Sequence, residues 1–230
     1  MSQKLGKSRT VFYFNKCGQV NTEEALRLAI QRVGELGIKR LIVASETGLS
    51  ALKASELLQG TGISLTVVTS AAGTKVEKTA IGDLKIGISD KELWNKLEKS
   101  GAKILRATDP LYNIGAAFEH GGVPTLATII RRCLGMISSG TAVCVAAVLM
   151  ATDNGLLKEG EEVVAVAGSW VGLDTALVVR AVNSVNLLKR GALQIREIIC
   201  KPRNPAHSWP VDQKDWVGDL EPYKRFAEGA

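Results

Sequence analysis

The stretch NTEEALRLAIQRVGELGIKRLIVASETGLSALKASELLQGTGISLTVVT, residues 21–69, decides the fold. Its first third sets Leu26, Ala29, Ile30, Val33 and Leu36 at helical spacing. Asn21 and Glu24 match a capping box at the start of that helix, and Gly37 suits its end. Arg40 to Ala44 (RLIVA) then reads as a buried strand. Ser45-Glu46-Thr47-Gly48 is a turn, Leu49 to Leu58 returns to helical spacing, and Ile63 to Thr69 is a second apolar strand. Helix, strand, helix and strand in this order are the alternation of right-handed βαβ units, which build a parallel sheet.

Working outward, Thr10 to Phe14 is a short aromatic strand, and Ser70 to Gly82 is a loose stretch. Ser89 and Glu92 suggest a second capping box, for a helix over Asp90 to Lys99 closed by Gly101, with Lys103 to Ala107 as the next strand. Pro124 to Leu134 and Thr141 to Met150 read as two consecutive apolar helices, the second buried on most faces. Glu162 to Ala167 (EVVAVA) is a strong strand. Thr175 to Val182 is read as a strand on its β-branched content. With Leu193 to Cys200 it is expected to form an antiparallel pair at the sheet edge. Four of the six prolines lie beyond residue 200. The expected division is a single α/β domain over residues 1–203, with a basic N-terminal extension, and an extended Pro- and Trp-containing tail over 204–230.

Composition excludes several functions. Hydrophobic residues make up 46% and charged residues 23%, which excludes a disordered chain. The net charge of +6 is unevenly spread. Residues 1–16 carry four basic side chains and no acidic one, whereas residues 17–188 hold seventeen of each. A neutral body argues against a nucleic-acid groove. Met1 to Lys16 has no run suited to a signal peptide. The longest nearly apolar stretch, Ala142 to Ala151, is about half the roughly 20 residues of a spanning helix, so no membrane association is expected. Cys17, Cys133, Cys144 and Cys200 form no CxxC pair, and His120 and His207 are the only histidines, so no metal site is expected. Scattered thiols suit a reducing cytoplasm. Cys17, beside Lys16, is the thiol whose neighbour would favour a thiolate. His120 reads as a loop residue.

In a parallel sheet, ligands bind at the carboxyl ends of the strands. The loop Ser45 to Ser50 puts three hydroxyls and a glycine where a helix begins. Backbone N–H groups, the helix dipole and the hydroxyls of Ser45, Thr47 and Ser50 suit a phosphate, and Gly48 permits close approach. Helix capping by Ser45 or Thr47 is the plainer reading of the same residues, and Glu46 counts against an anion unless it points away. Thr69 and Ser70 follow the next strand. The loop GSWVGLDT offers Gly168, Ser169, Gly172, Asp174 and Thr175, with Asp174 either accepting from a sugar hydroxyl or closing an Asx turn. Trp170 could stack on a planar ring or serve in packing. There is no GxGxxG and no P-loop, so no dinucleotide or nucleotide-triphosphate reading follows.

These loops carry a resemblance. CGQVNTEEALRLA (17–29), IVASETGLSALKA (42–54), GSWVGLDTALVV (168–179) and EIICKPR (197–203) resemble the stand-alone pyruvate kinase C-terminal-domain-like family of archaea and some bacteria. The resemblance implies a three-layer α/β/α sandwich with a mostly parallel mixed sheet. It does not imply pyruvate kinase activity, which belongs to a barrel domain not recognisable here. Relatives that look like flavin mononucleotide (FMN) binders imply FMN as the cofactor. Ser45, Thr47, Gly48 and Ser50 would hold its phosphate, and Gly168, Gly172, Asp174 and Thr175 would line the other wall. Ser70 and Asp109 stand where the family often has histidine, so histidine-dependent chemistry is not carried over. The expected function is a cytoplasmic binding domain for a small phosphorylated ligand. A flavin-dependent oxidoreductase and a sugar-phosphate-sensing assembly domain are the alternatives, and a homo-oligomer through the sheet edges is compatible with each.

Overall fold

A computed structural model describes residues 6–206 and 216–227. Nine strands and six α-helices follow the alternation read from the sequence: β1 (Phe12–Phe14), α1 (Thr22–Leu36), β2 (Arg40–Ala44), α2 (Leu49–Leu57), β3 (Ser64–Thr69), β4 (Lys75–Thr79), β5 (Gly82–Lys85), α3 (Lys91–Lys99), β6 (Lys103–Arg106), α4 (Asn113–His120), α5 (Leu126–Gly135), α6 (Ser139–Asp153), β7 (Glu162–Ala167), β8 (Thr175–Arg180) and β9 (Gln194–Pro202). Seven strands form one sheet in the order β1-β9-β8-β7-β2-β3-β6. All its neighbours are parallel except around β8, which is antiparallel to both β7 and β9.

Alternation along the strands creates the layers. Leu41 and Val43 of β2, with Val164 and Val166 of β7, face α1, α2 and α3. Ile42, Val163 and Ala165 point the other way, onto Cys144, Ala147, Val148 and Ala151 of α6. Helix α6 is buried on nearly every side because α5 covers its outer face, with Ile130 and Leu134 against Val145 and Leu149. A helix in that position cannot be amphipathic, which is why its sequence is apolar all round.

Five local readings are corrected. The α1 box does not form: Asn21 donates from its side chain to the Lys16 carbonyl (2.8 Å), because a short 3₁₀ turn over Gln19–Asn21 precedes the helix. At α3 the cap is Asp90 rather than Ser89, its carboxylate accepting from the N–H groups of Glu92 and Leu93. The stretch 70–82 is not loose throughout, since β4 and β5 make an antiparallel hairpin. The β8–β9 pair is antiparallel but internal, because β1 adds beyond β9 as the edge. His120 closes the helix α4 rather than sitting in a loop.

The C-terminal residues also depart from an extended tail. Residues 216–227 fold back on the carboxyl end of the sheet, with Trp216, Tyr223 and Phe226 buried and Glu221–Phe226 in a 3₁₀ turn. His207 lies outside the described residues. No helix among the described residues is long and apolar enough to cross a membrane.

Candidate functional site

The loop between β2 and α2 is built for the helix start and for packing. Ser45 Oγ accepts from the Ala51 N–H at 3.3 Å. Gly48 has φ +92°, and a Cβ there would lie 2.7 Å from Leu93 Cδ2, so packing against α3 already demands glycine. Glu46 turns away from the start of α2 towards the end of β3. Its carboxylate accepts from Thr69 Oγ1 (2.9 Å), Ser70 N–H (3.0 Å) and Ser70 Oγ (2.7 Å). Thr69 and Ser70 therefore already hold an anion, the protein's own.

The loop between β7 and β8 is half-buried, and its Ser169, Leu173 and Asp174 are buried. Asp174 has no exposed surface. Its Oδ2 accepts from the N–H groups of Gly18 and Ser169, both at 3.2 Å, and its Oδ1 accepts from Thr175 Oγ1 at 3.0 Å. Burial pushes its pKa above the ordinary carboxylate range, and these donors hold it back in part. The chain of hydroxyls continues from Thr175 to Ser138 (3.1 Å) and Thr141 (2.8 Å) at the start of α6. Ser169 Oγ is buried beside this cluster, close enough to the Asp174 carboxylate to help hold its pKa back. Asp174 thus ties the β1 turn to the β7 turn, as an internal fastener closed to a ligand. Gly168 and Gly172 serve the same packing: a Cβ on Gly168 would meet the Gly172 carbonyl at 2.1 Å, and one on Gly172 would meet Gln19 Cα at 2.3 Å.

One open groove lies at this end of the sheet, about 440 Å³ in volume. The starts of α1 and α2 both reach it. Gln19, Thr22 and Glu23 line one side, Leu49, Ser50 and Lys53 the other, and Pro222 and Tyr223 close it. Of the sequence-predicted residues, Ser50 lines it. Ser50 is 8% exposed, and its hydroxyl forms no hydrogen bond among the described residues. Thr22 Oγ1 accepts from the Leu173 N–H (3.0 Å), leaving its own proton to donate. Lys53 Nζ sits 3.0 Å from Glu23 Oε2. Hydrogen bonds from Arg27 and then Lys53 hold the Glu23 pKa below its usual value.

The folded-back segment supplies the neighbours of Trp170 and Cys17. Trp170 meets Trp216 edge to face, with ring centroids 5.3 Å apart, so its neighbour is protein. Trp216 donates from its indole to the Val171 carbonyl at 3.3 Å and packs on Gly18. Cys17 beneath it is fully buried. Burial raises the thiol pKa of Cys144, and that of Cys200 to about 12. Among the described residues, no cluster of three or more His, Cys, Asp or Glu side chains suits a metal.

A three-layer α/β sandwich with a groove over the carboxyl ends of its parallel strands defines the class of architecture. Within that class, the chain belongs to the pyruvate kinase alpha/beta domain family, whose model matches residues 23–179. The match begins inside α1 and ends inside β8.

Sequence reasoning missed Thr22, Lys53 and Tyr223. Lys53 had a signal: it stands three residues after Ser50 and shares its face of α2. Thr22 and Tyr223 had none, since they reach the groove only through the turn at 19–21 and the return of the C-terminal segment.

Proposed function

We propose that this protein is a cytoplasmic binding domain for a small phosphorylated ligand, with FMN as the first ligand to test. The observation that carries the reading is Ser50: a nearly buried residue in the first turn of α2, with its hydroxyl lining a groove that also holds a lysine. A phosphate there would accept from Ser50 Oγ and Thr22 Oγ1 and from the N–H groups of the α2 start, with Lys53 turning from Glu23 to meet it. These donors suit the phosphate end of FMN, and 440 Å³ is within the usual range for small-ligand sites, about 300–1,000 Å³. A bound flavin would supply redox chemistry. The chain's own part is to hold the phosphate, to orient it by the two hydroxyls, and to keep Glu23 compensated by Arg27 when Lys53 leaves.

Native mass spectrometry of freshly purified protein, followed by calorimetric titration with FMN and with a sugar bisphosphate, tests this. Lys53→Met and Ser50→Ala are each expected to weaken binding about 10- to 100-fold, the range for losing a hydrogen bond to a charged group. Colourless protein that binds the sugar phosphate but not FMN would remove the flavin and favour the sensing role. Protein that binds neither would sink the proposal.

A further inference from the structure

Seven of the thirteen large apolar side chains exposed among the described residues fall between positions 112 and 136, on α4, α5 and their connection. One of them, Tyr112, is covered by the Arg131 guanidinium, 5.1 Å from its ring. The other six are Ile114, Phe118, Val123, Leu126, Ile129 and Met136. Their spacing is not random. Ile114 and Phe118 are four apart on α4, and Leu126, Ile129 and Met136 follow one stripe of α5 opposite the side that packs on α6. The helices touch directly: a Cβ on Gly115 would lie 2.5 Å from Thr128 Cγ2.

Such a surface is larger than folding of one chain requires. The fractional exposures of the six side chains correspond to on the order of 800 Å², above the roughly 300–600 Å² of the largest apolar patch on an ordinary monomer and equal to one partner's share of a standard interface. The nearby charges are already paired within the chain, Glu119 with Arg132 (3.0 Å) and Asp109 with Arg131. The patch therefore has no sign with which to select an acidic or a basic partner. A neutral, apolar and sufficiently large face is what an isologous contact needs, because the same surface must accept itself. We propose that the α4–α5 face joins two copies of this chain.

Cys133 makes the proposal testable at the patch itself. It lies within the α5 stripe and is the one exposed cysteine, whereas Cys17, Cys144 and Cys200 are buried. A thiol reagent on the native protein therefore reads this face. In analytical ultracentrifugation the wild type should sediment as a dimer, and Ile114→Glu combined with Leu126→Glu as a monomer with an unchanged far-ultraviolet circular dichroism spectrum, since neither side chain is buried within one chain. Cys133 should react about tenfold faster in that variant than in the wild type, as expected when a thiol leaves a buried interface. A wild type that stays monomeric up to roughly 100 µM would overturn the proposal, because an apolar contact of this area should be saturated there. So would a dimer in which Cys133 reacts as fast as in the variant, which would assign the interface to another surface.

Discussion

Asp174 is the residue on which most of the carboxyl end depends. Replacement by Ala leaves the buried N–H groups of Gly18 and Ser169 without an acceptor, and should cost about 2–4 kcal/mol in urea denaturation. Asn keeps an oxygen for the two N–H groups and should cost less. The two variants also differ from the wild type in pH dependence. Burial raises the Asp174 pKa in the folded state, so between the ordinary carboxylate range and the raised value the folded chain holds more protons than the unfolded one. The penalty for the buried charge is thus absent at low pH and complete once pH has risen past the folded value. Relative to Asp174→Asn, the wild type should gain stability on acidification through that window, and a parallel pH profile would contradict it. The sequence indicated that the carboxylate mattered and offered two roles. Choosing the internal one required knowing that Gly18, 156 residues away, supplies a donor. Likewise Glu46 reads as an obstacle in the sequence, and only the position of Thr69 and Ser70 across β3 gives it partners.

At the scale of elements, periodicity carried the alternating core well. After their first residue, β2 and β7 are continuous apolar runs because both of their faces are covered, and α1 and α3 keep one apolar face each. What failed were elements made by contact with distant chain. The β4–β5 hairpin is polar on its outer side, so its strands lack a hydrophobic signature. Its Leu84 is buried against Tyr223 and Phe226 and bridges to Ala227. The C-terminal segment has turn and proline signals typical of a tail, and its three aromatics become core only when they meet the β2–α2 and β7–β8 loops. Trp216→Ala should therefore destabilise the protein by about 3–5 kcal/mol, as for a buried aromatic, and remove the Trp170–Trp216 pair from the near-ultraviolet circular dichroism. A loss below about 0.5 kcal/mol, the level of a surface substitution, would mean that the segment does not dock in solution.

For the whole molecule, the order of the sheet sets the order of assembly. The edge strand β1 precedes the other strands in the chain, yet among the described residues it pairs with β9, almost two hundred residues later, with Phe12 aligned to Cys200. Strands β2 and β3 are joined by one crossover through α2, and β3 and β6 by the β4–β5 hairpin and α3, whereas β2 pairs with β7 only after α3 to α6 have intervened. Long-range parallel pairings are slow because the loop must close before any contact rewards it. In a pulse-labelling hydrogen-exchange experiment, the amides of β3 should become protected before those of β1. The wall supplied by Tyr223 comes only after every strand of the sheet has been made. A nascent chain thus carries the starts of α1 and α2 long before the residues that close the groove between them, so the groove takes its shape only once Tyr223 has been made and has docked.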